Sequence, residues 1–174
     1  EANAAHQYEW VSHFEVGVTV EGDWIRGSAA NGQVLGIQVV APQPFAADTG
    51  NDGLPYVRIQ PASEVADDRF IHVLYPTEQA TWNSRPTVTM LTDTGQAAAI
   101  RVQLNDGSGR EDDILITYSQ SGTRRTVGPY TYDGQVAVVG RGADDQLERL
   151  FVYGATFLQD QDGNLLVTNL GPDQ

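Results

Sequence analysis

Cysteine is absent from this chain of 174 residues. That excludes disulfides and thiolate chemistry, and it removes the commonest ligand of structural zinc. Lysine is absent as well: all 10 basic residues are arginines. Arginine favours planar, bidentate contacts to carboxylate or sulfate. No apolar run approaches the ~20 residues that a membrane helix needs. Positive charge is scarce, with 10 basic against 23 acidic residues and a net charge of −13. Such a field repels nucleic acid and anionic membranes, so neither is expected as a partner. It also opposes a polyanionic ligand unless arginines gather locally. The start, EANAAHQYEW, has no basic or apolar leader region. The expectation is a module or fragment of a longer protein.

What is present is a core and a sheet pattern. Hydrophobic residues make up 40% of the chain and charged residues 19%, which is a folding composition and not a disordered one. Phe14, Val16, Val18 and Val20 alternate with polar or small residues. The same period of two recurs at Val34–Val40, Tyr56–Gln60, Arg69–Tyr75, Thr87–Leu91, Ala97–Leu104, Asp113–Ser119, Gln135–Gly140, Leu147–Leu158 and Asn164–Leu170. Turn pairs stand between the runs, at Asn31-Gly32, Asn105-Asp106-Gly107, Asp133-Gly134 and Asp162-Gly163. The pattern predicts an all-β, antiparallel β-sandwich of about eleven short strands in two packed sheets, one domain over residues 1–174. Helix signals are weak. Ala62–Asp67 has room for one turn, and GADDQLERLFVYG fits either a helix or a strand, the strand being favoured by its surroundings.

Chemistry-bearing residues concentrate at the beginning, in HQYEWVSHF (His6–Phe14). On a strand, His6, Tyr8, Trp10 and Ser12 share one face, and Glu9, Val11 and His13 share the other. His6 and His13 therefore cannot hold one ion on a continuous strand. A zinc site that uses them is expected to be completed by segments outside this chain. His72, in the apolar run RFIHVLY, reads as a partly buried, hydrogen-bonded histidine. The irregular stretch Ala41–Pro55 carries Asp48, Asn51 and Asp52, oxygen ligands of the kind calcium takes, though without the EF-hand spacing.

Sugar chemistry suggests two further groups. Trp82, beside Asn83 and Arg85, is the better candidate for a surface ring against a sugar face, ahead of Trp24. Arg124 and Arg125 stand beside Tyr130 and Tyr132 in GTRRTVGPYTYDG. Cations and aromatics together suit an acidic saccharide. No Gly-x-Ser-x-Gly motif or phosphate-cradling glycine loop is present, and no residue is assigned a catalytic role.

The opening motif also carries a resemblance. HQYEWVSHF, followed by a strand and then VLGIQVVAPQP, resembles the β-sandwich region of heparinase II/III-type polysaccharide lyases, where an aromatic-rich His-x-Tyr-x-Trp-x-x-His strand occurs. RFIHVLYPT, DDILITYSQSG, DGQVAVVGRG and LERLFVYGATFLQ resemble later strands of that region, so the likeness runs from about His6 to Leu166. It implies a module that supports a catalytic α/α-toroid domain in β-elimination on uronic-acid polysaccharides, with zinc in the sandwich and a secreted or periplasmic location. The catalytic tyrosine and histidine of such lyases match no residue of this chain, so the module alone is expected to be inert. His6, with His13, is the only carry-over, toward zinc. An acidic polysaccharide and the toroid are the partners implied. Two other readings stand beside this one: an independent carbohydrate-binding module, and a ligand-free structural sandwich of a surface protein.

Overall fold

The computed structural model describes residues 7–64, 69–118 and 122–168. Among them the chain forms an all-β protein, as the period-two pattern predicts. The strand count is higher than about eleven, at sixteen, and the strands form four antiparallel sheets instead of two. The chain divides into two compact units, Glu1–Arg85 and Pro86–Gln174.

The first unit holds β1 (Trp10–His13), β2 (Gly17–Glu21), β3 (Trp24–Ser28), β4 (Gln33–Ala41), β5 (Phe45–Asn51), β6 (Pro55–Pro61) and β7 (Ile71–Glu78), then a 3-10 helix over Gln79–Ser84. Its sheets run β1-β6-β5 and β2-β3-β4-β7. Their facing residues make one core: Val57 and Ile59 from the first sheet, Ile25, Ile37 and Val39 from the second, with Phe14 between strands. The second unit holds β8 (Thr87–Asp93), β9 (Ala97–Gln103), β10 (Glu111–Thr117), β11 (Arg125–Val127), β12 (Tyr130–Tyr132), β13 (Val136–Arg141), β14 (Leu147–Tyr153), β15 (Phe157–Asp160) and β16 (Leu165–Thr168). Its five-stranded sheet runs β14-β13-β10-β9-β8, and its four-stranded sheet runs β11-β12-β15-β16. Ala99, Leu115, Ala137 and Val139 of the larger sheet meet Val127, Tyr132, Leu158 and Val167 of the smaller in the second core.

The extra strands have physical reasons. β5 lies inside the stretch expected to be irregular. It pairs with β6 from Phe45–Pro61 to Asn51–Pro55. Its side chains are mostly exposed, so burial imposes no alternation on its sequence. The run Phe14–Val20 is interrupted because Phe14 leaves the strand to enter the core. LERLFVYGATFL divides at Gly154, whose φ of 68° ends β14. The helix alternative for this stretch does not occur. Part of the turn suggested for Ala62–Asp67 lies outside the described residues.

One partly buried histidine makes the first core sensitive to acid. Edge strands β1 and β7 meet where the Trp10 and His72 rings pack edge to face, with centroids 4.3 Å apart. Phe70 lies 6.0 Å from the same imidazole. His72 is partly buried as expected, but its Nε2 has no hydrogen-bond partner. Burial without a partner disfavours the charged ring and lowers its pKa from 6.5 to about 4. The unfolded chain therefore binds the proton more readily. Stability from this group is fully present above pH ~6.5 and is lost as pH falls toward 4. The loss should approach about 3 kcal/mol, set by that difference in pKa. Denaturant titrations between pH 7 and pH 4 check this. His72→Leu should flatten the difference, and an equally steep profile in that variant would refute it.

Candidate functional site

Trp82 lies on the 3-10 helix, and its ring is buried, with 3% of the residue exposed. It rests against Gly36 of β4, where a Cβ would come within 2.7 Å of the indole. Trp24 meets it edge to face at 5.7 Å. Its indole N–H donates to Glu21 Oε2 at 3.0 Å. The Arg85 guanidinium sits 4.7 Å from the ring centroid. Trp82 and Arg85 are thus brought together, as the sequence suggests. The ring is packed among neighbours, however, and does not offer a face to a sugar. The sequence signal missed here is the glycine. Gly36, within a strand, opens the space that the two indoles fill.

The second predicted group is split by the β12 alternation. Tyr130 and Tyr132 point into the core, 3% and 0% exposed, while Thr131 between them does not. Tyr130 donates its hydroxyl to Asp113 Oδ2 at 2.8 Å. Burial, then the Asp113 charge, raises the Tyr130 pKa well above the ordinary range. Tyr132 donates to the Tyr153 carbonyl at 3.3 Å, and burial raises its pKa too. Arg124 remains exposed and lies over the Phe157 ring at 3.7 Å. Arg125 donates from Nε to the Thr123 carbonyl at 3.2 Å. Neither tyrosine ring can stack on a sugar, because both belong to the second core.

Tyr130 instead floors a polar cavity of about 160 Å³ at one end of the second sandwich. Its arginines already hold acids. Arg101 grips the buried Asp113 through two bonds of 2.7 and 2.8 Å. Arg141 reaches Asp160 at 3.5 Å. This is a satisfied charge network that ties β9, β10, β12 and β13 together.

His6 lies outside the described residues. The strand alternation expected around it is seen from Trp10 onward. Trp10 and Ser12 are partly buried while Val11 and His13 are exposed. His13 Nε2 approaches Asp52 Oδ2 at 3.4 Å, and its ring tilts against Tyr56. Of the three suggested calcium ligands, Asp48 and Asn51 lie on β5, and Asn51 Oδ1 already accepts the Gly53 N–H at 2.9 Å. Among the described residues, no three of His, Asp and Glu gather as a metal-holding group.

The outward face of the five-stranded sheet carries what the sequence reading overlooked. Leu150 and Val152 of β14 pack toward the core. The alternate residues Phe151 and Tyr153 point away from it, 54% and 60% exposed. Across the sheet, Phe151 lines up with Val138, Ile114 and Ile100, and Tyr153 with Val136, Ile116 and Ala98. Ile100 and Ala98 of β9 are buried, 4% and 0% exposed, so exposure on this face falls away from β14 toward β9. Tyr118, two residues past Ile116, is 38% exposed. These three are the exposed large aromatic side chains among the described residues, and one sheet face gathers them. Phe151 and Tyr153 are about 7 Å apart along the strand. Arg149 precedes them on the same face, its Nη2 bonded to Asp112 at 2.6 Å. Arg110 reaches the same carboxylate at 3.2 Å. Two arginines thus meet at Asp112, and Arg110 also interacts with Asp106. The signal was present in LERLFVY: on an alternating strand, both outward positions near its end are aromatic. Compared with known proteins, the chain matches no family model and no curated protein.

Proposed function

We propose that this protein is a glycan-binding β-sandwich module whose ligand, an acidic polysaccharide, lies along the β14 side of the outward face of the five-stranded sheet. One observation carries the reading: Tyr118, Phe151 and Tyr153, the exposed large aromatics among the described residues, share that face. Exposed aromatic rings on a sheet bind the apolar faces of pyranose rings at little cost in side-chain entropy. Arg149, 48% exposed at its side chain on the same strand, favours a carboxylate or sulfate on the sugar. The heparinase II/III-type resemblance supports the same ligand class and a polysaccharide-degrading toroid as the domain served.

Calorimetric titration with polygalacturonate oligomers, and with neutral cello-oligosaccharides for comparison, tests this. Phe151→Ala and Tyr153→Ala should each weaken binding about tenfold, or about 1.4 kcal/mol. Melting should change little, since both rings are exposed. Arg149→Ala should reduce the preference for the acidic oligomer. Absence of binding, or binding that survives both aromatic substitutions, would overturn the reading.

A further inference from the structure

We infer that the first unit binds a small apolar amine in a cavity of about 320 Å³ at one end of its sandwich. The cavity lies where the connection from β1 to β2 meets the β3–β4 hairpin, with β7 beside it. Phe14, Leu35 and Pro76 give it apolar walls. Phe14 belongs to the first core and Leu35 packs against that core, so an apolar guest would extend it. The volume is at the small end of the range for ligand pockets, enough for a single ring with a short side chain.

The charge at the rim selects the head group. Glu15 is exposed there, and its Oε2 accepts the Ala30 N–H at 3.2 Å, which holds the carboxylate in place. Two other glutamates of this unit already have cations: Glu21 has Arg26 and Glu9 has Arg58. Glu15 has no such partner among the described residues, and no arginine among them lines the cavity. His13 also reaches the rim, but its Nε2 faces Asp52 at 3.4 Å, so a further acid stands close by. A bound carboxylate would therefore meet Glu15 with no cation between them. A neutral guest would cover the carboxylate without answering its charge. An ammonium group brings three donors and the opposite charge, and the net charge of −13 draws it toward the protein. The site belongs to the first unit and stands apart from glycan binding on the second.

Phenethylamine is the probe, and 3-phenylpropionate, with the same ring and the opposite charge, is its counterpart. In calorimetric titration of the full chain at pH 7, phenethylamine should bind with a Kd below about 1 mM, ordinary for a ligand of so few atoms. The propionate should bind at least about ten times more weakly. Amide resonances of Ala29 and Leu35 should move with the amine, and those of Leu150 and Val152 should not. Glu15→Gln keeps an acceptor for the Ala30 N–H, so melting should be unchanged while the amine binds about tenfold more weakly. Ala29→Phe, which places a ring in the same cavity, should abolish binding. No binding, equal binding of the two probes, shifts gathered on the second unit, or an amine affinity unchanged in Glu15→Gln would overturn the inference.

Discussion

Gly27→Ala is expected to unfold the first unit at denaturant concentrations where the unmodified protein is intact. Gly27 lies on β3, opposite Val18 of β2 and Leu35 of β4. A Cβ built there falls inside the Phe14 ring, against Cδ1, Cε1 and Cγ. The ring is buried, 7% exposed, and packed in the first core. The overlap is too deep for the strand backbone and the ring both to stay where they are. The ring must leave its site, with the loss of its burial and the strain of repacking, about 3–5 kcal/mol. Phe14→Ala alone should cost about as much for the same reason. The double variant should cost far less than the sum of the two, because the methyl group would occupy space that the ring has vacated. The measurement is selective. Trp10, Trp24 and Trp82 all lie in the first unit, so tryptophan fluorescence follows that unit alone. Additive penalties in the double variant would show that Gly27 is needed for something other than the approach of Phe14.

Asp113→Ala should destabilise the second unit by a similar amount. Asp113 is 2% exposed. It accepts both bonds from Arg101, at 2.7 and 2.8 Å, and the Tyr130 hydroxyl at 2.8 Å. Removing the acid takes two bonds from Arg101, which keeps its 3.2 Å pair with Glu111, and leaves the buried Tyr130 hydroxyl without its acceptor. Breaking one partner of a buried pair costs about 3–5 kcal/mol, most of it from the groups left behind. Arg101 is 36% exposed at its side chain and can recover part of its hydration, so the lower half of that range is expected. Combining Asp113→Ala with Tyr130→Phe should restore part of the loss, because the second change removes the stranded hydroxyl. Urea unfolding followed by near-UV tyrosine dichroism measures this, while the tryptophan transition of the first unit should stay in place. A penalty under about 1 kcal/mol would mean that water reaches the site and replaces the acid, as it does at exposed pairs.

These two sites differ in how legible they are in the sequence. The alternation that makes β10 and β13 strands is plain in DILITYS and QVAVVG, because each buries chiefly one face. β9, in AAAIRVQL, is instead buried on both faces from Ala97 to Ile100. The same alternation predicts the split of the opening motif, and the burial of β1 follows it from Trp10 to His13. β5 is nearly invisible for the converse reason: an exposed edge strand needs backbone pairing but no pattern of side chains. The predicted sugar-binding residues show a different limit. Aromatics next to arginines were chosen by their proximity along the chain. Proximity along the chain does not say on which face a ring lies or whether another element covers it. Trp82 is covered through its helix and Glu21, and Tyr130 and Tyr132 by the opposite sheet.

The sequence by itself determines that this is an all-β chain, which residues of each clear strand share a face, where the turns fall, and a charge balance unfavourable to nucleic acid. These are local or global properties, set by a period of two, by Gly and Asp in turns, and by composition. Only the tertiary structure decides that the sheets number four in two units, that the predicted aromatics are core, and that Tyr118, Phe151 and Tyr153 are exposed. The reason is that exposure is a relation between distant segments. An outward residue on one strand is buried or open according to what packs over it, and no local pattern records that.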